Sequence, residues 1–177
     1  MTLKGAISAA FIGLLMAHGA EAQSASGTAQ VTIHQDEFSK TITVIGEKAE
    51  SHVGVDCTWF IRSFLTKDPM TVTQQLVATI EYDGFAAHYR SAADDTAQPL
   101  KVTIIKGPGG LSSDQTEIIG IELNNKTLVA RQGTGYRIKL APKVGQPVIL
   151  TLTPEMIRVQ IRADEKVLGL DQPGAAK

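Results

Sequence analysis

The chain of 177 residues holds a single cysteine, so no disulfide can form within it. Aromatic residues make up only 5% of it, and 17 Lys and Arg stand against 18 Asp and Glu. That near balance excludes a chain that is basic throughout, and with it wholesale binding to nucleic acid. The motifs that carry common chemistries are missing too: there is no G-x-S-x-G elbow, H-E-x-x-H, C-x-x-C, Walker loop or dinucleotide fingerprint. Gly107-Pro-Gly-Gly110 lacks the Lys-Ser/Thr that a phosphate cradle needs and reads as a turn. No cofactor is implied. What is present is 43% hydrophobic and 20% charged residues, the composition of a chain that forms a core.

One long uncharged apolar stretch occurs, Gly5 to Ala17, preceded by Lys4 and too short to span a bilayer. It is followed by His18-Gly-Ala20-Glu21-Ala22, which fits an A-x-A cleavage pattern. The expectation is a signal peptide over 1–22 and a mature, exported chain from Gln23, periplasmic or secreted. No second apolar run approaches spanning length, so no transmembrane segment is expected in the mature chain. Residues 23–40 are expected as a flexible leader, 41–170 as one domain and 171–177 as a tail. In an oxidising compartment an exposed thiol would react, so Cys57 should be buried.

Past the leader the dominant period is two. Thr41 to Ile45 alternates, and Val53, Val55, Cys57, Trp59 and Ile61 share one face of a strand. Thr71 to Tyr82, Asp83-Gly84 and Phe85 to Ser91 read as a two-residue hairpin, with Ile80 facing Ala87 and Ala78 facing Tyr89. Leu100–Lys106, Gln115–Leu123, Tyr136–Leu140 and Val148–Leu152 read as further strands, and Asn124–Arg131 as one or two helical turns. Thr153-Pro154-Glu155 opens a helix with a hydroxyl cap and a proline at its first position, and Gly169 ends it. Its stripes, Met156/Val159/Ala163/Val167 and Ile157/Ile161/Leu168, are separated by Gln160 and Asp164. About eight short strands and a closing helix predict a mainly β fold. The expected architecture is an antiparallel β-sandwich, immunoglobulin-like or similar, with a C-terminal α-helix; a small partly open barrel is the alternative.

Candidate chemistry is sparse. His34 and Asp36 lie on one side of an extended segment at a spacing that suits two metal ligands, and His88 sits near Glu81 on the polar face of the expected hairpin. The charge distribution says more. From Gln23 to Glu122 there are 7 bases and 13 acids, whereas Leu123 to Lys177 carries 9 bases and 4 acids. Lys126, Arg131, Arg137, Lys139, Lys143, Arg158 and Arg162 form a candidate basic interaction surface. Two readings stay open: solvated faces partly paired with the acidic half, or a surface for an anionic partner such as lipid headgroups or an acidic envelope protein.

Glu117-Ile-Ile-Gly-Ile-Glu-Leu-Asn-Asn-Lys-Thr-Leu128, Gly135 to Leu140, Gly145 to Leu150 and Thr153 to Ile161 together resemble the C-terminal half of the invasion-associated locus B proteins. Thr58 to Ser63 and Thr73 to Leu76 look like related exported proteins. The paired cysteines of that family are missing. The resemblance implies an exported β-sandwich with an envelope-associated, non-enzymatic role, in host interaction, and no catalytic residue to carry over. The first expectation is thus an envelope protein acting through binding or as an accessory component. The alternatives are a small periplasmic enzyme or metal protein using His34, Asp36 or His88, and a carrier of apolar ligands.

Overall fold

Residues 31–36, 40–109 and 114–170 are described in the structure, a computed structural model. The expected signal peptide, residues 23–30 and the tail 171–177 lie outside the described residues. In chain order the elements are β1 (Thr32–Gln35), β2 (Ile42–Ile45), β3 (Ala49–Ser51), β4 (Asp56–Lys67), β5 (Met70–Asp83), β6 (Tyr89–Asp94), β7 (Pro99–Leu100), β8 (Val102–Lys106), β9 (Asp114–Leu123), α1 (Asn125–Arg131), β10 (Tyr136–Pro142), β11 (Val148–Leu152) and α2 (Pro154–Leu168).

The larger sheet runs β1-β2-β4-β5-β9-β8, with β3 also paired to β4. Its inward residues form cross-strand rows because all its pairings are antiparallel and the side-chain period is two. Cys57, Ile80 and Glu117 make one row; Trp59, Ala78 and Ile119 the next; then Ile61, Leu76 and Ile121; then Ser63, Gln74 and Leu123. Every residue in these rows is buried. The smaller sheet, β11-β10-β6-β7, covers the first rows, and Trp59 donates its indole N–H to the Thr151 carbonyl oxygen across the gap at 3.1 Å. Helix α2 covers the other end, where Ala163 packs with Ile42, Val44 and Leu65. The fold is thus an antiparallel β-sandwich closed by a C-terminal helix. The sheets are stitched on one side, where the chain leaves β6 through β7 and joins β9 as β8, and among the described residues no closed barrel forms.

Two expectations are corrected. First, strand pairing starts inside the expected leader, because Thr32–Gln35 adds to the free edge of β2. Second, Asp83-Gly84 is not a hairpin turn. Both edges of β5 are occupied, by β4 and β9, so β6 finds no place beside it and pairs with β10 in the other sheet. Gly84, at φ 94°, turns the chain, and residues 84–88 cross between the sheets. Ala78, Ile80, Ala87 and Tyr89 do end up in the core, facing each other from two sheets, but Phe85 is 99% exposed. On α2, Gln160 and Asp164, which separate the two apolar stripes, are buried together with Ile157 and Ile161.

The caps expected for α2 are in place, and α1 is capped as well. Asn124 accepts from the Lys126 and Thr127 N–H groups at the start of α1. Thr153 accepts from the Met156 N–H, and Gly169 closes α2 in the left-handed region. Gly135 is required at φ 79°, since a Cβ there would stand 2.8 Å from the Leu152 carbonyl oxygen.

Cys57 is 2% exposed, and burial pushes its thiol up to about 12. A thiol-reactive chromogenic disulfide should therefore leave the native protein unlabelled and modify it only as fast as it unfolds. Stoichiometric labelling of the native protein within the mixing time would contradict this packing.

Candidate binding site

At the end of the sandwich where β4 begins and β5 ends, three connections converge around a cleft of about 830 Å³. They are the β3–β4 turn with His52 and Val55, the crossing loop with Phe85 and Ala87, and the β10–β11 turn with Val144 and Gln146. The volume is in the range of ordinary ligand sites. Acids line it, namely Asp56, Glu81, Asp83 and Asp114. Apolar side chains stand at its mouth: Phe85, Val53 and Val144 are 99%, 85% and 72% exposed. Phe85 and Val144 line the cleft itself, while Val53 belongs to the turn beside it.

The cleft owes its shape to Glu117. This side chain is fully buried, yet each oxygen is occupied. Oε1 accepts from the Tyr82 hydroxyl at 2.5 Å and from the His88 N–H at 2.9 Å; Oε2 accepts from the Tyr89 N–H at 3.2 Å and lies 3.5 Å from the Arg90 guanidinium. The Tyr82 hydroxyl in turn accepts from the Ala87 N–H at 2.8 Å. Three consecutive backbone donors, two at the end of the crossing segment and one at the first residue of β6, are thus satisfied by one carboxylate and one phenol. Burial and the Glu117 carboxylate push Tyr82 up to about 12, so it stays a hydroxyl donor throughout the physiological range. The β10–β11 turn is fastened to the same loop through the Lys143 N–H, which donates to the Ala87 carbonyl at 3.0 Å.

On the rim, His52 Nδ1 lies 2.8 Å from Asp56 Oδ1, and Glu50 is 4.0 Å from the other ring nitrogen. That hydrogen bond and the nearby negative charges hold the imidazole above its usual value. Sequence reasoning gave His52 no role. Its signal was weak, an i,i+4 His–Asp pair across a turn containing Gly54. Glu117 was legible only as an acid at an inward position of an alternating strand.

The seven basic residues are only partly brought together. Arg158 donates to the Gln132 carbonyl at 3.0 Å, beside Arg131; the Arg131 guanidinium lies over the Tyr136 ring; Arg137 and Lys139 follow on the outward face of β10. Arg162 lies one turn beyond Arg158 on α2. Two of this run are ion-paired, Arg131 with Asp95 and Arg158 with Glu155, each at 2.6 Å. Lys143 sits instead in the turn by the cleft, and Lys126 at the start of α1.

His34, with Asp36 just past the end of β1, stands apart from His88. His34 pairs opposite Thr43, which pairs opposite Phe64, toward the end of the sheet remote from the cleft. His88 is in the crossing loop, with Nδ1 3.4 Å from the Arg90 guanidinium rather than beside Glu81. Among the described residues no group of three or more His, Cys, Asp or Glu could hold a metal ion. Compared with family models, curated proteins and solved structures, the chain has no significant match.

Two outcomes are expected. Replacing Glu117 by Ala leaves buried donors without an acceptor, at about 1–3 kcal/mol each, so Glu117→Ala should lose about 3 kcal/mol or more of unfolding free energy in urea. A loss below about 1 kcal/mol would contradict the role given to the carboxylate. The His52 imidazole, followed by NMR, should titrate above about 6.5, and Asp56→Asn should lower its midpoint. Unequal ionisation means that the His52–Asp56 attraction is complete below the ordinary histidine value and is lost as pH rises through the elevated one.

Proposed function

We propose that the protein is an exported, non-enzymatic component of the cell envelope that acts by binding, and that the end cleft holds a cationic partner bearing apolar side chains. The observation that carries this reading is the combination of an acid-lined cleft with apolar loop tips at its mouth. Large exposed apolar side chains grouped at one site mark interaction surfaces, and the charges select the sign of what docks. The loops are built for the task, since a buried carboxylate makes the crossing segment firm and leaves its outer residues free. The resemblance carried by residues 117–128, 135–140 and 145–150 supports export and an envelope role. The space between the two sheets is occupied by a contiguous cluster of side chains, which favours the cleft over carriage between the sheets.

The test uses a labelled peptide of alternating lysine and leucine, and a glutamate–leucine peptide as control. The lysine peptide should bind with an affinity that falls as salt rises. Phe85→Ser, made at a fully exposed position, should weaken it by about tenfold, or about 1.4 kcal/mol. Joint replacement of Asp56, Glu81 and Asp83 by their amides should weaken it further. Equal binding of both peptides, or indifference to the triple replacement, rules the cleft out. Export is tested separately by the mass of the protein recovered from the periplasm, which should begin at Gln23.

The run from Arg162 through Arg158 and Arg131 to Arg137 and Lys139 favours a second reading, a surface for anionic headgroups. Capture by vesicles rich in anionic lipid should then fall steeply with salt and drop further in Arg137→Ser with Lys139→Ser, whereas salt-insensitive or absent capture would exclude it.

A further inference from the structure

Beneath α2 lies a second buried carboxylate, remote from the cleft and built on a different plan. Asp164 is 4% exposed and surrounded by neutral groups. Ser63 Oγ donates to its Oδ2 at 2.7 Å and Gln74 Nε2 to the same oxygen at 2.9 Å; Gln160 Nε2 approaches Oδ1 at 3.2 Å and also contacts Ser63 Oγ and the Val44 carbonyl. The elements packed against it are β2, β4, β5 and α1. They face it with Val44, Ser63, Gln74 and Asn125, none of which titrates. The charged side chain that acts on it is Glu165, of the same sign. Glu117 differs, having the Arg90 guanidinium beside it.

The hydrogen-bond inventory of this cluster is two donors short. Gln74 Oε1 and Gln160 Oε1 are buried and without a partner, although both residues are at most 2% exposed. An ionised carboxylate only accepts, so it cannot relieve either amide oxygen. A protonated one can. With a proton on Oδ2 and the Gln74 amide turned over, the carboxyl O–H donates to Gln74 Oε1. The Gln74 amide N–H groups then face the small cavity of about 130 Å³ that Gln74 lines with Asn125, Val129 and Ile161. One proton removes a buried charge that has no cationic partner and gives one of the two orphaned acceptors a donor, in exchange for the Gln74 Nε2–Oδ2 bond.

We propose that Asp164, Ser63, Gln74 and Gln160 form a proton-dependent latch that fastens α2 to the large sheet more firmly when Asp164 is protonated. Burial pushes the Asp164 carboxyl upward and the charge of Glu165 adds to this, while the hydrogen bonds from Ser63, Gln74 and Gln160 oppose it. For an acid whose native value exceeds its unfolded value of about 3.9, the native state holds the proton longer. The stabilisation is therefore complete below the unfolded value, declines as pH rises between the two values, and is gone above the native one. The latch is independent of the function proposed for the cleft.

The experiment is a carbon-detected NMR titration of the side-chain carboxyls in the full mature chain, together with urea midpoints of wild type and Asp164→Asn from acidic to neutral pH. Asp164 should titrate above about 3.9, and the wild-type midpoint should fall relative to that of the Asn variant as pH rises through that titration. Gln74→Leu, which removes a donor to the ionised carboxyl and leaves burial as the dominant influence, should shift the Asp164 midpoint upward. An Asp164 midpoint at or below the ordinary value, or parallel stability curves for the two proteins, overturns the latch. If the Asn variant fails to fold, the wild-type carboxyl titration and its change in Gln74→Leu decide the question alone.

Discussion

The architecture turns on the burial of Glu117. Burying an ionised side chain in a sandwich core is costly unless its oxygens are taken up by donors. Here the donors are the groups the fold needs to have satisfied: the Tyr82 hydroxyl and the backbone N–H groups of His88 and Tyr89. The chain crosses between the sheets at this point, where no neighbouring strand offers a ladder partner. Remove the carboxylate and the crossing segment loses its backbone partners, the β10–β11 turn loses the loop it is fastened to, and the cleft loses two of its walls.

A second polar row, Ser63 and Gln74 with Asp164 and Gln160 from α2, lies two rows of apolar side chains away from the first. The two rows bracket the hydrophobic centre formed by Trp59, Ala78, Ile119, Ile61, Leu76 and Ile121. They also limit how the long strands can pair. A slip of one residue between β4 and β5 would carry Ser63 or Gln74 to the outward face and take one donor from the buried Asp164. The polar groups thus specify the register, and apolar burial supplies most of the driving force.

This division explains what could be read from the sequence. The alternation of Cys57, Trp59 and Ile61, the Thr153-Pro154 start of α2 and the Asn124 cap are local signals, and local physics decided them. Asp83-Gly84 misled because a two-residue turn is a hairpin only if an edge of the preceding strand is free, and β9, far along the chain, takes that edge. At 100° per residue Gln160 and Asp164 fall between the two apolar stripes of α2, so the wheel places them on its buried side without saying what they meet there. Their partners lie about a hundred residues away on β4 and β5, and helical periodicity holds no information about them. Of the candidate site residues, the basic set was visible as a charge imbalance, but its splitting into a contacting run and two outliers follows from packing. The cleft itself was not legible, because it joins three turns that are separate in sequence.

The charge imbalance between the two parts of the chain becomes a spatial one, with acids around the cleft and bases along α2 and β10. Both faces depend on the sandwich holding its crossing segment firm. Amide hydrogen exchange at Ala87, His88 and Tyr89 tests this most directly. If the Tyr82–Glu117 pair grips the segment, these amides, although outside or at the very end of any ladder, exchange as slowly as central amides of β5. Exchange as fast as that of exposed Gly84 and Phe85 would mean that the carboxylate does not hold the crossing, and the cleft would lose its structural basis.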